Sequence, residues 1–139
     1  MDEPRWIDPG FVEALHHDQL KTYGGRWGVR DANLLESALA RPRQRWSYEP
    51  GADLYDLAAA YAFGIAKNHP FVDGNKRTAF AVMTLFLALN RSPLHVPEPE
   101  AIVTMLGVAS GELGESELAA WCRQRGGDPT GQRGGPVSD

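Results

Sequence analysis

His69-Pro70-Phe71-Val72-Asp73-Gly74-Asn75-Lys76-Arg77-Thr78-Ala79 is the stretch on which the reading of this chain turns. It puts a potential base, a potential metal ligand, two cations and a glycine into one short loop. An apolar run follows at once, from Ala79 to Leu89, within a helix read from about Asn75 to Asn90. Unpaired amides and the helix dipole at such a loop-to-helix junction favour phosphate. Lys76 and Arg77 add positive charge. They diverge by roughly 100° on a helix, so one ligand meets both only if it wraps the helix end, as a triphosphate can. His69 can exchange a proton near neutral pH. Asp73 offers hard oxygens for Mg²⁺ beside a triphosphate. From the residues alone this is a nucleotide site with a base next to it.

Composition supports that reading by exclusion. The chain has 139 residues, enough for one domain with one core. Its formal net charge of -4 argues against a general nucleic-acid binder. Between Lys67 and Arg77, however, Lys67, Lys76 and Arg77 face the single carboxylate of Asp73, a locally positive patch suited to an anion. Cys122 is the lone cysteine, so no intrachain disulfide or Cys-rich zinc cluster is expected. Met1-Asp2-Glu3-Pro4-Arg5 lacks a signal-like apolar run, and Ala79–Leu89 falls short of the ~20 residues that span a bilayer. The expectation is a soluble, cytoplasmic protein with no membrane contact and no direct nucleic-acid partner.

Outward from the motif, periodicity predicts an all-α bundle. Phe11 to Tyr23 reads as a helix with Val12, Leu15 and Leu20 on its inner face, ended by Gly24-Gly25. Asp31 caps the next, which should stop near Arg41 because Pro42 follows. Arg43 to Ala52, with Trp46 and Tyr48, reads as a connection. Asp53 opens a third helix, to about Lys67. The helix after the motif is apolar all round, which predicts a place at the centre of the core. Glu98–Ala109 and a segment capped by Ser116 supply two more helices. Trp6-Ile7 is either a short strand or a packing anchor, and Leu94-His95-Val96 a second short strand. Residues 1–125 form the expected domain, and the Gly- and Pro-rich stretch 126–139 a disordered tail.

The motif also resembles a family signature. Its spacing follows the pattern His-x-Phe-x-Asp/Glu-Gly/Ala-Asn-Gly/Lys-Arg of the Fic/Doc family. Gly24-Gly25-Arg26-Trp27-Gly28-Val29-Arg30-Asp31 and Leu34-Leu35-Glu36-Ser37-Ala38-Leu39-Ala40-Arg41-Pro42 resemble the N-terminal half of Doc-type (death on curing) toxins. The resemblance implies a Fic-like helical bundle with a buried central helix after the motif loop. It implies His69 as catalytic base, Asp73 as the Mg²⁺ ligand, and Gly74, Asn75, Lys76 and Arg77 as the ATP-binding set. It also places a target-docking flap before the motif, where Trp46 and Tyr48 are the candidates, with core anchoring as the alternative for both.

Two departures separate this chain from the family's AMP-transferring members, which read Gly-Asn-Gly-Arg-x-x-Arg. Lys76 replaces the second glycine, and Phe80 stands at the distal arginine. Both match the Doc branch, where ATP is understood to bind in the opposite sense. The resemblance then implies a toxin of a toxin–antitoxin module that phosphorylates a protein hydroxyl, with translation elongation factor Tu as target and a cognate antitoxin as partner. Gly74 agrees with the AMP-transferring pattern, which keeps AMP transfer as the alternative. A catalytically inactive antitoxin-binding module is a third reading.

Overall fold

Six helices build the chain in the computed structural model, which describes residues 1–126. They are α1 (Pro9–Tyr23), α2 (Ala32–Tyr48), α3 (Leu54–Asn68), α4 (Asn75–Leu89), α5 (Glu98–Ser110) and α6 (Glu115–Gly126). The fold is all-α. Among the described residues the only β pairing noted is one isolated antiparallel bridge, Val29 with Phe71. The expected strands do not form. Ile7 is buried and its amide donates to the Tyr61 hydroxyl at 3.1 Å, while Trp6 stacks on Phe86. That pair is a packing anchor. Leu94-His95-Val96 pairs with no neighbour.

The central helix is α3, not the helix after the motif. It packs against α2, α4, α5 and α6. Small residues explain this. Ala58, Ala59, Ala62, Gly64 and Ala66 are all buried and let neighbouring backbones approach closely. A Cβ on Gly64 would sit 3.2 Å from the Ala38 Cα of α2. The larger side chains of α4 reach α3 from one side only: Val82, Met83, Phe86 and Leu87 are buried, while Phe80, Ala81 and Thr84 are partly open. An apolar run was read as all-round burial, but one flank of it lines a cavity.

Helix α2 also differs from expectation. It passes through Pro42 and ends at Tyr48. An interior proline costs a helix about 3 kcal/mol. Here the ring is buried, and the turns beyond it are tied down by Arg45, which pairs with Asp56 and Glu115. Trp46 and Tyr48 therefore belong to a helix and not to a flap loop. In α1 Val12, His16 and Leu20 are buried and Leu15 is partly buried against the core, so His16 joins the inner face that the sequence assigns to Val12, Leu15 and Leu20. Gly24 ends α1 with φ 83° and ψ 175°, a conformation open essentially to glycine alone.

Caps at Asp31 and Asp53 form as the sequence predicts, the second as a reciprocal box with Asp56. Ser116 is not a cap. It is the second residue of α6, where the Gly114 carbonyl accepts from Leu118 and the Gly114 amide donates to Glu117. Gly126 is helical and buried, so the folded part reaches at least one residue past the expected boundary. The rest of the expected tail, 127–139, lies outside the described residues. Cys122 is buried against Met83, and burial pushes its thiol up to about 12, which leaves it unreactive. No helix among the described residues is long and apolar enough to cross a membrane.

Arg123 of α6 grips both acids of the α3 box, at 2.9 Å from Asp53 and 2.8 Å from Asp56. Burial alone would raise the Asp53 carboxyl, but the bonds from Arg123 and from the Asp56 amide outweigh it and hold it below the usual carboxylate range. A depressed carboxyl stabilises the fold above its unfolded pKa, and that contribution is lost as pH falls through the folded value. Arg123→Ala should lower stability by about 1 kcal/mol or less, since Arg123 and Asp53 are half-exposed. Thermal melts of both proteins from neutral pH into the acid range should converge below the ordinary aspartate range. A constant gap across that range would contradict the assignment.

Candidate active site

The motif loop begins where α3 ends. His69 sits at that end with φ 54° and ψ 53°, a left-handed conformation rare for residues other than glycine. It costs roughly 1–2 kcal/mol and persists only where surroundings impose it. Arg30 is what imposes it. Its Nε donates to the His69 carbonyl at 2.7 Å and its Nη2 to the Asn68 carbonyl at 2.9 Å. The Arg30 and Asp31 amides both donate to the Pro70 carbonyl. Arg30 thus satisfies helix-end carbonyls that would otherwise lack partners. Only the fold brings Arg30 to this corner, across 39 positions of sequence.

Phe71 is fully buried, as expected of the peg that pins the loop. Its ring stacks on His16 with centroids 3.8 Å apart, and His16 Nε2 lies 2.8 Å from the Asp73 carbonyl. His16 is therefore a brace beneath the loop. Gly74 follows with φ 77°, and a Cβ there would meet Leu20 at 3.3 Å. The glycine is needed for conformation as well as for access.

Asn75 is placed differently from the expectation of a phosphate contact. Its side chain is buried and spent on the loop. Oδ1 accepts from the Phe71 amide at 2.9 Å, Nδ2 donates to the Phe71 carbonyl at 2.9 Å, and Nδ2 lies 3.1 Å from His69 Nδ1. The two Phe71 bonds fix which end of the amide is nitrogen. So an N–H faces Nδ1, and the neutral His69 ring then carries its proton on Nε2. What Asn75 can offer a ligand is its backbone N–H. The first helical bond of α4 runs from Thr78 to the Gly74 carbonyl, so the amides of Asn75, Lys76 and Arg77 precede it.

Asp73 does not cap α4, whose N-cap is Gly74 with no side-chain bond. Its Oδ2 accepts from the Arg26 amide at 2.8 Å. No group of three or more His, Cys, Asp or Glu able to hold a metal occurs among the described residues. A cation at Asp73 would draw its remaining ligands from phosphate and water, as Mg²⁺ does beside nucleotides. That donor set fits Mg²⁺ and does not fit zinc.

His69, Asp73, Gly74, Asn75, Lys76 and Arg77 all line one cavity of about 640 Å³. Its other end is apolar, formed by Phe80 and Ala81 of α4 and Ile102, Met105 and Leu106 of α5. One end suits anionic oxygens and the other a flat apolar group. The cavity's size is typical of small-molecule sites. Residues 24–31, and not Trp46 and Tyr48, run beside the loop. They carry the Val29 bridge to Phe71 and an exposed Trp27.

The comparisons with known proteins agree with this geometry. The Fic/DOC family model matches residues 6–87, from the Trp6 anchor through the motif loop to the last turn of α4. The chain is similar to the protein named Protein kinase doc of Escherichia phage P1, at 35% identity over 120 residues, which cover 86% of this chain and 94% of the phage protein. It is also similar to the protein named Toxin Doc of Mycolicibacterium smegmatis, at 45% identity over 69 residues, 49% of this chain and 53% of that protein. Family match, motif and a helical scaffold that gathers the motif on one cavity coincide, and this chain belongs to the Fic/DOC family.

Proposed function

We propose that this chain is the toxin of a toxin–antitoxin module and that it moves the γ-phosphoryl group of ATP to a hydroxyl of a target protein. The observation that carries the reading is Lys76 on the cavity beside Arg77, with Phe80 forming apolar wall where AMP-transferring relatives place an arginine. The name of the phage relative, Protein kinase doc, supports it. The proposed target is elongation factor Tu, with translation blocked as the result. A cognate antitoxin is the proposed partner and the cytoplasm the proposed location.

In this reading the protein positions groups and neutralises charge, which is most of what phosphoryl transfer needs. Lys76, Arg77 and the first amides of α4 hold the phosphates. Asp73 would hold Mg²⁺, which supplies further neutralisation of the phosphate charge. The target oxygen bonds to the γ-phosphorus as the bond to the β–γ bridging oxygen breaks, and ADP leaves. The hydroxyl proton goes to His69. Accepting it at Nε2 requires the ring tautomer protonated on Nδ1, so the ring must give up the 3.1 Å contact from Asn75. Residues 24–31 are the proposed docking edge for the target, in place of Trp46 and Tyr48.

AMP transfer is the second reading, and Gly74 is the residue that favours it. Lys76→Gly separates the two. A charge-assisted phosphate contact is worth about 1.5–3 kcal/mol, so transfer from γ-labelled ATP should slow roughly ten- to a hundredfold. Transfer from α-labelled ATP should stay weak, because Phe80 leaves the arginine clamp missing. Unchanged γ-transfer in the variant would remove the argument for the kinase reading.

A further inference from the structure

We propose that Tyr23 is a positioning residue for Arg77, and that it acts on the triphosphate only through that guanidinium. The proposal rests on the nucleotide reading of the cavity. Tyr23 is the last residue of α1, Arg77 lies in the first turn of α4, and Glu98 opens α5. The three helix ends meet at one point. Arg77 lies over the Tyr23 ring, 4.4 Å from its centroid, and the Tyr23 hydroxyl donates to Glu98 Oε2 at 2.6 Å. Helices α1 and α5 each pack on α4, so this bond spans the gap between them.

The arrangement does specific work. An exposed arginine has many rotamers, and each must be given up on binding phosphate. A guanidinium stacked on a ring keeps its N–H edge free while its face is held. Glu98, at the positive end of α5, anchors the ring in turn. Position matters as well. The 640 Å³ cavity adjoins a cleft of about 280 Å³ walled partly by Gly24, Gly25 and Gly74. Tyr23 and Arg77 line both spaces. They stand at the boundary between the two spaces.

Two ligands and a double-variant cycle test this. Affinities for ATP with Mg²⁺ and for inorganic triphosphate with Mg²⁺ are measured by calorimetry for wild type, Tyr23→Ala, Tyr23→Phe, Arg77→Ala and the Tyr23→Ala/Arg77→Ala pair. Tyr23→Ala should weaken both ligands by the same factor, roughly three- to tenfold. Tyr23→Phe keeps the stack and should lose less. In the Arg77→Ala background the Tyr23 change should have no further effect. Label transfer by Tyr23→Ala should show a raised KM for ATP with kcat little changed, and its melting temperature should match wild type. The Arg77 Nε–H resonance, shifted by the ring in wild type, should return to an ordinary position in Tyr23→Ala.

Additive effects of the two substitutions would overturn the proposal. So would loss of ATP affinity with triphosphate affinity kept, since that would place the ring against the nucleobase. A wild type that binds neither ligand yet shows the ring-shifted Arg77 signal would sink the nucleotide reading, and the phosphate role of Tyr23 with it. Normal ligand affinity in Tyr23→Ala would sink the role of Tyr23 alone.

Discussion

Label transfer from ATP to the target is expected to fall by roughly 10²- to 10⁴-fold in His69→Ala, the span that a positioned proton acceptor contributes. The fold should survive. His69 is exposed, and the Arg30 bonds that hold its corner go to backbone carbonyls that alanine retains. Alanine gains nothing in the left-handed conformation, so melting temperature should stay near wild type. In cells the variant should relieve growth arrest. Near-normal turnover by a folded His69→Ala protein would refute the role given to the ring. Asn75→Ala offers a companion readout, since it frees His69 Nδ1 and should change the rate of transfer.

Phe71→Ala should be the most damaging single change to the scaffold. The ring is wholly buried and stacked on His16 of α1, and its residue lies in the loop that joins α3 to α4. Removing a buried phenylalanine costs about 3–5 kcal/mol, against about 5–15 kcal/mol for a whole domain. The loss is also functional, because the Phe71 backbone holds Asn75, and Asn75 approaches His69. Denaturant unfolding should show the midpoint falling sharply with little change in slope. Phe71→Leu, which fills most of the space, should fold and keep part of the activity. A Phe71→Ala protein as stable as wild type would mean the ring is not the anchor of the loop.

Local signals carried much of this structure. The caps at Asp31 and Asp53 depend on near neighbours, and both form as the sequence implies. The motif residues are contiguous, so their meeting at one cavity follows from a single loop. What failed was tertiary. Pro42 reads as a helix stop, yet α2 continues because Arg45 and the buried ring hold its last turns. The apolar run of α4 reads as central, yet the alanines and Gly64 of α3 are what let four helices converge. The side-chain bonds of Asn75 to the Phe71 backbone are likewise not legible in the motif spacing. Arg30, His16 and Tyr23 lie 39, 55 and 54 positions from His69, Phe71 and Arg77, and no window of sequence displays such pairs. The sequence does mark the Arg30 segment, by an arginine beside the capping Asp31 and after Gly24, Gly25 and Gly28.

The reaction proposed for this cavity is transfer of the terminal phosphoryl group of ATP to protein. It is tested most directly by incubating the purified wild-type chain with elongation factor Tu, Mg²⁺ and ATP labelled at either the γ- or the α-phosphate, and taking the intact mass of the factor. The account predicts a single added phosphoryl group, label from the γ-position alone, and neither signal with His69→Ala. An added AMP group carrying the α-label, or an unmodified factor in cells arrested by the toxin, would contradict it.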